Sequence, residues 1–180
     1  MRYDEAGLIL EVSLDMFKEV IGTFDKHNVG LLHMMGKNFA AQQKYVEAHD
    51  YLHKASTEMS RIYGFHGGHD GNQNEELAHL ERDIGLNHYH RQQYTDAELR
   101  LKECLKIYKH LPPTSGELDS NGRQQDIASA LLGLFFVYSD KADFPQSMET
   151  AKQALDIYKK VDPENESVPI LVAFLDRVEI

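Results

Sequence analysis

The chain has 180 residues, 42% of them hydrophobic and 27% charged, with a formal net charge of −10. That balance belongs to a folded, soluble domain rather than a disordered segment, and the acidic excess weighs against nucleic acid or an anionic membrane as ligand, because phosphate binding needs clustered Lys and Arg. No apolar run approaches the roughly 18 residues a membrane helix needs. Residues 1–20 carry Asp4, Glu5 and Glu11 and do not read as a signal peptide, and the single cysteine, Cys104, fits a reducing, cytoplasmic setting.

Apolar spacing is helical almost throughout, and no useful stretch alternates with the period of a strand. Eight helices are expected, at about 4–22, 28–42, 45–63, 74–90, 94–110, 124–140, 144–161 and 168–179. Asn28 is placed to cap the second. Asn72 with Glu75, and Thr95 with Glu98, have capping-box spacing. Asp143 followed by Pro145 opens the seventh helix, because proline is tolerated in a first turn, and Ser167 is placed to cap the eighth. Two segments rich in turn formers read as loops between helical pairs, Gly64 to Gly71 and Leu111 to Gly122.

One pattern recurs four times along these helices: Tyr3-x-x-Ala6-x-x-x-Leu10-x-x-Ser13, Tyr45-x-x-Ala48-x-x-x-Leu52-x-x-Ala55, Tyr94-x-x-Ala97-x-x-x-Leu101-x-x-Cys104 and Phe144-x-x-Ser147-x-x-x-Ala151-x-x-Ala154. The first residues are 42, 49 and 50 apart (45−3, 94−45, 144−94). Self-similarity at such a period marks a stacked repeat. Offsets of three, seven and ten share one stripe of a helix, so small residues there let neighbouring backbones approach while leucine fills the gap. Ala151 is the exception. The preceding helix carries its own signature: Leu32, Met35, Gly36 and Phe39 in one unit, and Leu131, Leu134, Phe135 and Tyr138 in another. Between them the second unit keeps Ile84 and Gly85 but has Glu81 and His88 in the outer places.

These motifs resemble the tetratricopeptide repeat (TPR) family, with its large-large-small-large first helix and aromatic-small-large-small second helix. The 42-residue spacing and the helix ends Phe17-Lys18, Tyr108-Lys109 and Tyr158-Lys159 look most like the longer repeats of kinesin light chains. The resemblance implies an all-α, right-handed superhelix of antiparallel helix pairs in one domain. It would comprise a half repeat at 1–25, repeats at about 28–65, 74–111 and 124–162, and a terminal helix at about 167–180. It also implies that first helices line a concave groove for a peptide or partner helix. Carried over by position, that groove takes Gly30, His33, Met34, Lys37, Ala40 and Ala41 from the first unit. It takes His79, Arg82, Asp83, Leu86, Tyr89 and His90 from the second, and Ser129, Leu132, Gly133, Phe136, Ser139 and Asp140 from the third. Lys37 and Arg82 would meet acidic groups of a ligand, Arg82 bidentately. Leu86, Tyr89, Leu132 and Phe136 would supply apolar anchors, although Leu132 and Phe136 read equally well as core. A clamp for a C-terminal carboxylate is not expected, because Asp83, Ser129 and Gly133 stand where that subtype needs Asn and basic residues.

The first helix matches the second half of a unit, and the segment 168–179 is apolar for a terminal cap. Two readings follow: a segment of a longer array, or a complete chain whose ends pack on each other, on a partner, or on a second copy as a homodimer through the terminal helices. Ten histidines invite a metal reading. His49 and His53 are four apart on a helix, and His66, His69 and Asp70 share a glycine-rich loop, yet each set lacks further ligands, so solvated histidines are the better reading. Cys104 reads as a buried structural thiol. No catalytic motif or phosphate-binding loop is present. The expected function is therefore a non-catalytic scaffold or adaptor for a protein or peptide, without cofactor or metal. A sensor of signalling peptides within a larger protein is the alternative, and a metal-dependent enzyme a third, weaker reading.

Overall fold

A computed structural model describes residues 2–20, 26–63, 75–112 and 117–178. They form eight helices: α1 (Arg2–Val20), α2 (Lys26–Ala41), α3 (Tyr45–Tyr63), α4 (Glu75–His90), α5 (Tyr94–His110), α6 (Glu117–Asp140), α7 (Phe144–Val161) and α8 (Ser167–Val178). There is no strand among the described residues. The helices pack as successive pairs, α2 with α3, α4 with α5 and α6 with α7, stacked side by side in a TPR-like superhelical arrangement.

Each pair turns on the same backbone device. Gln43, Gln92 and Ala142 adopt left-handed φ values of 60°, 61° and 57°, each two residues before the aromatic that opens the second helix. Gln43 N–H donates to the Ala40 carbonyl at 2.9 Å and Lys44 N–H to that of Phe39 at 3.0 Å. The equivalent bonds recur from Gln92 and Gln93, and from Ala142 and Asp143. The carbonyls left over at the end of one helix are thus answered by the turn itself.

The small-residue stripe is the seam inside each pair. Ala48, Ala55, Ala97, Cys104, Ser147, Ala151 and Ala154 are completely buried. A β-carbon on Gly36 would lie 2.6 Å from Leu52 Cγ, and one on Gly85 would lie 2.7 Å from Leu101 Cγ. In the third pair the sizes are exchanged. Phe135 stands where the others have glycine, Ala151 stands where they have leucine, and both are buried in one cluster. The core is a string of three clusters, each built by one pair and the first helix of the next: α2/α3/α4, α4/α5/α6 and α6/α7/α8.

Glu81, one of the two departures from the repeat signature, is buried but receives both of its hydrogen bonds from Arg100 Nη1 on α5, each at 3.1 Å. An ion pair replaces the apolar contact made by Leu32 and Leu131 at that place.

Several local expectations need correction. Helix α6 starts at Glu117 rather than near 124, so the expected loop up to Gly122 is partly helix. Arg123 accounts for this: its Nε bonds Glu75 Oε1 at 2.8 Å and its Nη1 the Pro112 carbonyl at 2.6 Å, which holds the early turns of α6 against α4. Asn28 is not a cap but a buried residue inside α2. Thr95 lies within α5, whose capping position is Gln93, with no side-chain bond. Asp143 does cap α7, accepting from Gln146 N–H at 3.3 Å. At α8 the cap is Asn165, whose Oδ1 accepts from Ser167 N–H at 3.0 Å. Asn72 and the cluster His66, His69 and Asp70 lie outside the described residues.

The Gly–Leu seam makes a direct prediction. Alanine at Gly85 gains helix propensity of about 1 kcal/mol, but its methyl meets the branch point of Leu101 and, at 3.2 Å, the Leu101 backbone nitrogen. Overpacking of this kind costs roughly 1–3 kcal/mol. Gly85→Ala should therefore lower the urea midpoint, and an unchanged or higher midpoint would remove the steric account.

Candidate functional site

The helices are not equivalent in how they stack. α2 approaches α4, and α4 approaches α6, whereas α3, α5 and α7 have no Cα atoms within 8 Å of one another among the described residues. The first helices therefore crowd together and the second helices fan apart, which makes the first-helix side concave. The candidate residues lie on these three helices.

Two kinds of surface run along that side. The first is ionic and crosses three units. His33 Nε2 on α2 donates to Asp83 Oδ2 on α4 at 2.8 Å, and His79 Nε2 on α4 donates to Asp126 Oδ2 on α6 at 2.9 Å. Arg82 sits between them, bonding Asp83 Oδ1 through Nε at 3.0 Å and Asp126 Oδ1 through Nη1. Burial raises the Asp83 carboxyl, but the His33 hydrogen bond and the Arg82 charge outweigh it, so the group lies below its ordinary value. Asp126 behaves alike: burial raises it, and the His79 bond with the Arg82 charge brings it below.

The second surface is apolar and aromatic. Tyr89 and Phe136 stack at 6.0 Å, and the exposed His90 ring lies on Tyr45 at 4.5 Å. Leu86 is half-buried over Gly133, where a β-carbon would come within 2.9 Å of Leu86 Cδ2. Leu132 and Phe136 keep part of their surface while packing on the α6/α7/α8 cluster. They serve the core and border the concave side at once. The Tyr89 hydroxyl is pushed up to about 12 by burial and by the charge of Asp140. Burial and the same carboxylate raise the Tyr94 hydroxyl as well. Met34, 55% exposed, and Lys37 project from α2.

The structure thus joins His33, His79 and Arg82 in one network and pairs Tyr89 with Phe136, with Leu86 half-buried on α4 and Met34, Lys37 and His90 exposed on the same first helices. The Arg82 guanidinium is committed to two internal carboxylates. Asp126 was missed by the sequence reading because it lies 18 residues before Phe144, beyond the positions carried over. Among the described residues no group of three or more His, Cys, Asp or Glu side chains is placed to hold a metal ion. The buried Cys104 thiol is pushed up to about 12, chiefly by burial, which keeps it protonated. No described helix is long and apolar enough to cross a membrane.

Comparison with solved structures supports the fold. BtubC (BKLC) from P. vanneervenii superimposes with a TM-score of 0.73 at 18% identity, over 91% of this chain and 59% of that one. A kinesin-light-chain-like protein of Podosopora anserina with nearly identical TPR-like repeats superimposes with a TM-score of 0.57 at 11% identity, over 98% of this chain and 87% of that one. The chain thus spans little more than half the length of BtubC. No protein-family model matches the chain, and no curated protein matches it in sequence. The class defined by fold and comparison is a TPR-like helix-pair repeat, structurally close to BtubC and to kinesin-light-chain repeats.

The network predicts an acid response. A carboxyl with a lowered folded value stabilises above its unfolded value, about 3.9 for aspartate, and loses that contribution as pH falls through the folded one. Asp83 and Asp126 both act in this sense. Glu81 opposes them, because burial raises its carboxyl despite Arg100, so protonation there favours the fold. Between about pH 5 and about pH 3 the thermal midpoint of Asp126→Asn should fall less than that of the parent. Equal slopes would show that the network carries no linkage.

Proposed function

We propose that the protein is a non-catalytic scaffold whose concave first-helix side holds a peptide or a partner helix. The observation that carries this reading is that the first helices offer both kinds of group, an exposed Met34 and Lys37 on α2 and half-buried Leu86, Tyr89, Leu132 and Phe136 on α4 and α6. Apolar anchors of this kind supply most of the energy of recognition, and charged groups at the rim set orientation. Arg82 braces the surface and Lys37 meets the ligand, because the Arg82 charge is already answered by Asp83 and Asp126. Substituting Met34 and Lys37 together with glutamate should abolish retention of the partners that the parent protein captures from its native source, with circular dichroism unchanged. If the folded double variant retains every such partner, the groove has no part in binding.

A second contact surface has its own observation. α1 exposes Leu8, Ile9, Val12 and Met16, which fall on one side of the helix, and α8 exposes Ile170 and Val178. Contiguous apolar stripes of this sort mark interaction surfaces, and they support pairing of copies through the terminal helices. Sedimentation should give a mass above 20.6 kDa for the parent and the single-chain mass for Ile9→Glu. A parent that sediments as one chain at high concentration would exclude the pairing.

A further inference from the structure

Successive units meet where the second helix of one packs on the first helix of the next. Two such junctions, α3/α4 and α5/α6, can be compared position by position. Four residues after the aromatic that opens the second helix stand His49 in one and Glu98 in the other. Eight after it stand His53 and Lys102. Six residues before the next aromatic stand His88 and Tyr138, and three before it Arg91 and Lys141.

At the α5/α6 junction these groups form a closed set. The Glu98 carboxylate accepts from Lys102 Nζ at 2.6 Å, from Lys141 Nζ at 2.5 Å and from the Tyr138 hydroxyl at 3.3 Å. The α3/α4 junction has the donors but no carboxylate in that place. The His49 ring lies 6.0 Å from His53 and 5.4 Å from His88, both edge-on. Arg91 Nη1 is buried and has no hydrogen-bond partner among the described residues. His88 Nδ1 is bonded to Gln93 Oε1 at 2.8 Å and His53 Nδ1 to Thr57 Oγ1 at 3.2 Å, which leaves the Nε2 atom of each for another partner.

The acids nearby do not answer this set. Glu81, which acts on His88, is held by Arg100. Asp50 exerts the smallest of the influences on His49, whose imidazole is lowered first by burial and then by the charges of Arg91, His88 and His53. Nor do the three rings converge as metal ligands. A buried guanidinium nitrogen without an acceptor is a costly arrangement that an incoming oxygen relieves.

We propose that the α3/α4 junction binds a carboxylate brought by an acidic peptide segment, seated where Glu98 sits at the following junction. Arg91 donates to one oxygen, and the imidazoles of His49 and His88 donate to the carboxylate when protonated. Burial and the neighbouring charges hold the His49 imidazole below its ordinary value of about 6.5, so occupancy rises as pH falls below that value. The site is independent of the concave groove.

The probe is a blocked triglutamate peptide at about pH 6, with inorganic phosphate as the competing oxyanion, read from the histidine Cε1–H resonances. The peptide should shift the His49 and His88 signals to saturation, more tightly than phosphate does. Arg91→Gln should weaken it by about tenfold or more, as expected for the loss of a charged hydrogen bond. His49→Glu, which supplies the carboxylate in place, should abolish binding and raise the thermal midpoint. Lys37→Glu should leave it unchanged, which separates this site from the groove. Absence of a saturable shift, equal affinity of Arg91→Gln, binding retained by a folded His49→Glu protein, or tighter binding of phosphate would each overturn the proposal.

Discussion

The arrangement rests on one steric constraint, the exchange of volume across the seam of each helix pair. A glycine on the first helix and a leucine on the second occupy one space at Gly36–Leu52 and Gly85–Leu101. The third pair fills it from the other side, with Phe135 over Ala151. Interiors pack at near-crystalline density, so the sum of volumes is held while its division is free. That distance between helices is what allows a three-residue turn with a single left-handed residue to close every pair. It also fixes which face each first helix presents to its neighbour, and hence the concave side.

Apolar clusters run within pairs and on into the next unit, and polar bonds are added where units meet. Asn38 donates through Nδ2 to the Tyr3 carbonyl at 3.1 Å, and Asn87 does the same to the Tyr45 carbonyl at 3.0 Å. Each asparagine lies seven residues before its own aromatic and reaches the repeat aromatic at the start of the preceding helix. At the third such place stands Val137, which is buried without needing that bond. Together with His33–Asp83 and His79–Asp126, these bonds define the register of one unit on the next. Buried polar groups add little net stability when satisfied and cost much when not, so they discriminate against slipped packing more than they strengthen correct packing.

The sequence disclosed what is periodic. Four in-phase copies of the aromatic-small-large-small stripe marked the helix pairs and their seams, because each copy supports the others. What it concealed were pairings that occur once. Arg82 reaches Asp126 across 44 residues, and Arg123 reaches Glu75 across 48. The early part of α6 looked like loop because Ser120, Asn121 and Gly122 favour turns, and the contact that makes it helix lies on another element. Glu81 and His88 looked like decay of the signature. Each is instead answered by a specific neighbour, Arg100 for the one and Gln93 for the other. The left-handed residues were invisible for a different reason: none is glycine, so local composition carries no mark of the turn.

In a stacked repeat each unit touches only its neighbours, so one junction can change without disturbing the rest. The two junctions compared above show how far that freedom extends. The same four positions hold a neutralised set around Glu98 in one and an assembly of histidines with an orphaned arginine nitrogen in the other. Were local stability alone at stake, a glutamate at position 49 would be the simplest solution, since the geometry for it exists one unit away. The fold tolerates the omission because the Gly36–Leu52 seam and the Asn87 bond hold that region together independently of charge. A scaffold whose register does not depend on a surface ion set can leave that set incomplete, and an incomplete set of donors at a rigid junction is a place where an outside acceptor gains most.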